Sequence, residues 1–310
     1  MATKEEISIV ASSGREKYDE VVKQNLHFPK LIAPILKAVV PEYKKYSVEE
    51  VTNFIIKNSI KDDPIDDVSA MAQMETEMSS ISEKLIRYDS RFKAINPELS
   101  NEKINFYLHI DLEVQNNYKP TNPKYPIIKR ALYYDAREIS SQLGILTNST
   151  DYNSLEKVYS IWICNENVPK NLQNTISSYS IVKTDKIGKC DEPVSDYDLM
   201  NVIIIRRGDK NIDEEIFDYL TGFFTSDIKT ICKYVDISND EEVKKGVNEM
   251  TGLGNSLYKK GILDNLVSLV EKGLLKIQDA ADEADMSESE FEKLLKMNNF
   301  KKELEKKQKK

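Results

Sequence analysis

Histidine and cysteine are scarce in this chain, with two His and three Cys among 310 residues. His27 and His109 are far apart, and Cys164, Cys190 and Cys232 show neither CxxC nor HxxxH spacing, so no structural zinc pattern is present. Cys-His or Ser-His catalysis would rest on one of two isolated histidines. The chemistry left to the chain is that of carboxylates, amides, Lys and Arg. Scattered thiols suit a reducing cytoplasm. Long apolar runs are missing too: nothing approaches the roughly 20 residues that span a bilayer. The opening MATKEEISIV has no basic n-region and no apolar h-region. Secretion and membrane insertion are therefore disfavoured. Positive charge is also short, since 44 Lys+Arg against 52 Asp+Glu leave −8. Taken as a sum, that balance argues against a nucleic-acid partner, because phosphate neutralisation needs Lys and Arg.

What is present is a core-forming composition, 40% hydrophobic and 31% charged, in a length that suits one large domain or a main domain with an appendage. Residues 28–60 read as two helices. Leu31, Ile35, Leu36 and Val39 recur at helical spacing, and Pro41 kinks or ends the first segment. Ser47 with Glu50 has the form of a capping box opening the second. Residues 61–83, rich in Asp, Ser, Glu and Met, read as a loop or exposed irregular stretch. In 85–95, Ile86, Tyr88, Ser90, Phe92 and Ala94 alternate with Arg87, Asp89, Arg91 and Lys93. In 104–115, Leu108, Ile110, Leu112 and Val114 alternate with His109, Asp111, Glu113 and Gln115. Period two over this length predicts strands, and the NPELSNE connector suits a hairpin. A helix is predicted over 127–143, a doubly covered strand over 157–165, further strands over 176–183 and 201–207, and a helix over 213–224. This order predicts an α/β (α+β) fold, a mixed central sheet flanked by helices. From about 240 the pattern is helical, with Val243, Val247, Met250, Leu257, Leu266, Val270 and Leu274 on one stripe interrupted by Gly246, Gly254 and Gly261. The division expected is a main domain over 1–240 and a helical region with a basic tail over 241–310.

The leading candidate chemistry lies in Asp89, Glu113 and Gln115. Residues i and i+2 of a strand share a face about 6–7 Å apart, so Glu113 and Gln115 can converge, and a neighbouring strand can bring Asp89 beside them. Two carboxylates together repel unless a cation lies between them, and hard oxygen ligands suit Mg²⁺. Such an ion activates water and stabilises charge developing on a phosphate. The plain alternative is the polar face of a half-exposed hairpin. On the predicted helix, Lys129, Arg130, Tyr133, Tyr134, Arg137, Ser141 and Gln142 recur at three- and four-residue spacing, fit either to grip phosphates or to form a solvated face. His109 and Asp111 are read as structural, Trp162 as core, and Glu42 as a surface or capping group or a third acid aimed at the site.

The series RYDSRFKA, IDLEVQ, YPIIKRALYYDAREISSQ and KVYSIWIC, in this order, resembles the PD-(D/E)XK nuclease superfamily, and within it the Rpn recombination-promoting nucleases often labelled transposases. The resemblance extends to GLLKIQDAADEADMSESEFEKLL near the C-terminus. It implies a restriction-endonuclease-like core in which Asp89, Glu113 and the main-chain carbonyl of Val114 coordinate Mg²⁺, or Mn²⁺ in its place. It implies too that Gln115, where the superfamily usually has Lys, helps orient the attacking water. Gln can position water but carries no charge to stabilise an anion. Arg130, Tyr134, Arg137 and Gln142 match the helix positions assigned to substrate contacts. No Pro precedes Asp89.

The expectation is a metal-dependent DNA endonuclease of recombination or mobile elements, in the cytoplasm. The alternative is a catalytically weak nucleic-acid or protein binding module that forms a homodimer or higher homo-oligomer through its C-terminal helices. Charge distribution qualifies the earlier objection to DNA. The last ten residues hold six Lys and two Glu, a local +4, so the rest of the chain carries −12. Lys84, Arg87, Arg91 and Lys93 nevertheless flank Asp89, and Lys124, Lys129, Arg130 and Arg137 lie on or beside the helix. Binding is expected to be weak, Mg²⁺-assisted, salt-sensitive and confined to one face.

Overall fold

The computed structural model describes residues 18, 20–60, 89–115, 118–120, 123–143, 149–208, 212–284 and 286–296. The readings of 61–83, of the first strand's start at 85–88, of Lys84 and Arg87, and of the basic tail 301–310 lie outside these residues. The fold is α/β, a mixed five-stranded sheet with flanking helices.

Its centre is β3 (Val158–Cys164), whose seven residues are all buried. β3 lies between β2 (Tyr107–Gln115) and β5 (Met200–Arg206) and is parallel to both. A strand covered on both faces has no use for alternating polarity, which is why VYSIWIC is apolar nearly throughout. The sheet is closed by two antiparallel edges, β1 (Ser90–Ile95) beside β2 and β4 (Thr175–Ser180) beside β5. The hairpin expected from NPELSNE joins β1 to β2, with Ser90 opposite Leu112 and Ala94 opposite Leu108.

Helix α1 (Pro29–Val39) buries Leu31, Ile32, Ile35 and Leu36 and stops before Pro41, which opens a 3₁₀ turn. The capping box forms at α2 (Val48–Phe54): the Glu50 N–H donates to Ser47 Oγ at 3.2 Å, and the Ser47 N–H donates to Glu50 Oε2 at 2.7 Å. Helix α3 (Ile127–Ser141) lies on one face of the sheet, where Ile127, Ala131 and Tyr134 pack with Trp162, Cys164, Val202 and Ile204. On the opposite face Phe92, Ile110, Leu112, Ile161, Ile163, Ile203 and Ile205 are buried. Helix α4 (Glu215–Thr225) is tied to α1 by the Tyr219 hydroxyl, which donates to the Leu31 carbonyl at 2.6 Å. A short helix, α5 (Ile228–Ile231), follows.

The chain divides into two units, residues 23–244 and residues 245–310 together with 1–22. Helix α6 (Glu241–Glu271) carries four glycines, Gly246, Gly252, Gly254 and Gly261, without a break. Leu266 and Val267 of α6 form a small core with Ala280 and Ala281 of α7 (Ile277–Glu283) and with Phe291. The apolar stripe does not reach Leu274, which is 71% exposed in the turn after α6.

Candidate active site

The face of β1 and β2 that reads as a half-exposed polar surface is in fact covered by α3. Asp89, His109, Asp111 and Glu113 are all buried. In the antiparallel register Arg91 faces Asp111, and one step further Asp89 meets Glu113. Each carboxylate accepts from the main chain of the other's strand. The Asp89 N–H donates to Glu113 Oε1, and the Val114 N–H donates to Asp89 Oδ2, both at 2.9 Å. The same Val114 N–H orientation puts its carbonyl on the β1 side of the strand. Asp89 Oδ1 forms an ion pair with Lys23 Nζ at 2.6 Å, and His27 Nε2 lies 3.3 Å from the Asp89 carbonyl oxygen.

Electrostatically this is an acidic pocket short of compensation. Burial, reinforced by the charge of Asp89, pushes the Glu113 carboxyl up to about 8. Burial and then Glu113 hold Asp111 well above the ordinary carboxylate range. Asp111 Oδ2 accepts from the Ser160 hydroxyl at 2.8 Å, Ser160 Oγ accepts in turn from the Trp162 indole N–H at 2.8 Å, and Asp111 Oδ1 is buried with no hydrogen-bond partner among the described residues. Asp111 therefore belongs to the carboxylate group, beyond the structural role its spacing suggests: i and i+2 on one face is close enough for two buried carboxyls to interact.

Of the helix residues, Arg130 reaches the site. Its Nη1 donates a long bond to Gln115 Oε1 at 3.4 Å, and its Nη2 donates to the Tyr134 hydroxyl at 2.7 Å. Its guanidinium lies 5.0 Å from the Tyr134 ring centroid and 5.1 Å from that of Trp162. Arg130 also counteracts, by its charge, the upward push on Glu113. Trp162 is wholly buried, as its apolar strand predicts, yet it also seats this cation. Arg137, two turns along α3, is partly buried about 10 Å further down the axis. Gln142 is about 18 Å from Arg130 along the helix and has a different task. Its side-chain amide donates to the Glu156 carbonyl at 2.9 Å and accepts from the Glu156 N–H at 2.7 Å, clamping the chain before β3.

Glu42, weighed as a third acid for the site, lies at the other end of the strands. It accepts from Lys157 Nζ at 2.9 Å and from the Tyr159 hydroxyl at 2.7 Å. A cavity of about 1250 Å³ opens there, lined among others by Glu42, Phe106, Tyr152, Lys157 and Asp198. It is separate from the carboxylates, since Tyr107 and Glu113 stand at opposite ends of β2, about 20 Å apart.

Sequence reasoning also missed a supporting layer. Arg91 grips Glu138 through Nε and Nη2, the latter at 2.8 Å, and His109 bridges Glu138 at 3.2 Å and Glu156 at 2.9 Å. Burial alone would lower His109, but its two carboxylate partners raise it above the ordinary imidazole value. Burial would raise Glu138, and His109 and Arg91 bring it below the usual range. Asp135, on the same helix, has no such help. Neither of its oxygens has a hydrogen-bond partner among the described residues, and burial followed by the charge of Glu138 pushes it up to about 8. The i, i+3 spacing of Asp135 and Glu138 and the His109/Arg91 register were readable, but which helix face meets the strands was not.

The segment that holds β2, α3, β3 and β4 matches a known family. Residues 101–192 match the model of the PD-(D/E)XK nuclease family transposase. The matched segment, under a third of the chain, carries Glu113, Val114, Gln115, Arg130, Tyr134, Arg137 and Gln142, while Asp89 precedes it. The match points to a nuclease-like function. No curated protein and no solved structure matches. No helix among the described residues is long and apolar enough to cross a membrane.

Proposed function

We propose that the chain is a divalent-metal-dependent endonuclease acting on the phosphodiester bonds of DNA, in the setting of recombination or mobile elements. The observation that carries this reading is the reciprocal clasp of Asp89 and Glu113, buried beside Gln115 and Arg130. The donor set suits a hard cation. Asp89, Glu113 and the Val114 carbonyl offer oxygens only, and the carboxylates sit in a low-dielectric pocket that disfavours their joint ionisation. Among the described residues no group of three or more His, Cys, Asp or Glu is gathered as a metal cage, so a main-chain carbonyl and water would complete the shell. Mg²⁺ or Mn²⁺ there would lower the pKa of a bound water and offset charge developing on the phosphate. The Gln115 amide can accept from and donate to an attacking water, orienting it without adding charge. Arg130, lying against the Tyr134 and Trp162 rings, presents a planar fork to a phosphate, and Tyr134 holds that fork in place. Arg137 extends the positive line along α3.

The three free thiols and the lack of a membrane-crossing helix among the described residues support a cytoplasmic setting. Supercoiled plasmid incubated with Mg²⁺ or Mn²⁺ tests the proposal. Cleavage is expected from the wild type, with a loss of at least about 100-fold in Asp89→Ala and Glu113→Ala. Cleavage that persists in both variants overturns the assigned site. DNA binding or self-association without any cleavage would instead favour the oligomerising binding module.

A further inference from the structure

Lys23 lies outside the family-matched segment and 66 residues before Asp89 in the sequence, yet its ammonium is 2.6 Å from Asp89 Oδ1. The segment that brings it there is pinned to the start of β1 at two further points. The Ser90 hydroxyl donates to the Leu26 carbonyl at 3.0 Å, and the His27 ring lies 3.3 Å from the Asp89 carbonyl. The two sides of the ion pair differ in their freedom. The Asp89 side chain is 9% exposed and held by the Val114 N–H, whereas the Lys23 side chain is 49% exposed on a four-carbon stem. Its ammonium can therefore leave for water at small cost while the carboxylate stays. Glu113 has no comparable partner from this segment; its Oε1 is held by the Asp89 N–H.

We infer that Lys23 is a built-in, displaceable counter-ion of the carboxylate pair, exchanged for a divalent cation when one binds. The inference rests on the metal-site reading above and adds the group that sets the cation concentration at which the site responds. Because the segment remains anchored through Leu26 and His27, the ammonium stays close after exchange and competes at all times.

Mn²⁺ titrated by calorimetry into the full-length wild type, Lys23→Met, Lys23→Arg and Asp89→Asn, without DNA, tests it. Lys23→Met should bind Mn²⁺ about 5-fold more tightly, the gain of not breaking a partly buried ion pair. Lys23→Arg should stay near wild type. In the wild type, mass-spectrometric footprinting should show acetylation of Lys23 accelerating as Mn²⁺ saturates the site. Equal or weaker Mn²⁺ binding by folded Lys23→Met overturns the inference. If that variant does not fold, an acetylation rate unmoved by saturating Mn²⁺ does so. Wild-type binding that Asp89→Asn abolishes but Lys23→Met leaves unchanged removes the counter-ion role and keeps the metal site. No binding heat in any of the four proteins removes both.

Discussion

Asp135→Asn should make the protein more stable, by an amount that grows with pH. Asp135 is 1% exposed, neither oxygen has a hydrogen-bond partner among the described residues, and its carboxyl is pushed from 3.8 up to about 8. With the folded value raised, the native state holds a proton that the unfolded chain gives up. The group's contribution is thus intact below about pH 4 and is lost as pH rises toward about 8. The slope is about 1.4 kcal/mol per pH unit, so between pH 5 and pH 7 this one residue costs about 3 kcal/mol. Asn, of nearly the same shape and never ionised, removes that slope. The gap between variant and wild type should widen by about 3 kcal/mol over that interval, while titrations common to both cancel. Urea denaturation followed by fluorescence of the single Trp reads the relevant unit, because Trp162 is fully buried and its ring centroid is 5.3 Å from that of Tyr134 on the same helix as Asp135. A gap constant to within a few tenths of a kcal/mol from pH 5 to pH 7 would refute the reasoning.

His109→Gln should destabilise by about 2 kcal/mol at pH 5.5, where the imidazolium bridges Glu138 and Glu156. Because His109 is raised in the folded state, that deficit should shrink as pH climbs past the imidazole range, measurable in the same denaturation series. Gly222→Ala places a methyl 2.6 Å from Thr230 Cγ2 and should lower stability by about 1–3 kcal/mol, visible as a fall in the urea midpoint. Arg130→Met should weaken DNA binding across sequences and reduce the slope of log affinity against log salt by about one. A slope equal to wild type would place the phosphate elsewhere. Ser47→Ala, which removes a formed capping box, should cost about 1 kcal/mol of stability, read by the same urea titration.

Much of the architecture was written in local pattern. VYSIWIC announced a central strand because a doubly covered strand must be apolar on both sides, and the alternation of β1 and β2 with a seven-residue connector announced their pairing. That pairing alone brings Asp89 and Glu113 side by side. Burial of their face was not legible, because an alternating polar face looks the same whether water or a helix covers it. The outcome turned on α3, whose Glu138 supplies partners for Arg91 and His109. Lys23 and His27 were equally hidden: their contacts cross more than sixty residues, and nothing in a lysine marks the carboxylate it will meet. Glu42 failed as a site acid for a similar reason, since its partners Lys157 and Tyr159 lie at the entry of β3 rather than at the exit of β2. Gln142 belongs to the same run of polar helix positions as Arg130, but helix rise carries it about 18 Å away.

The clasp between Asp89 and Glu113 also locks the hairpin, because each carboxylate accepts from the opposite strand's main chain and a one-residue slip would turn Asp89 to the other face. Folding and the proposed chemistry thus draw on the same two side chains. A lineage without the proposed cleavage would still be held by its fold to residues that accept those bonds. Its tolerated changes would be Asp89→Asn and Glu113→Gln, which discard the charge and keep the acceptor. A silent descendant of this site would be recognised by amides standing in the carboxylate positions, with the strands still in register.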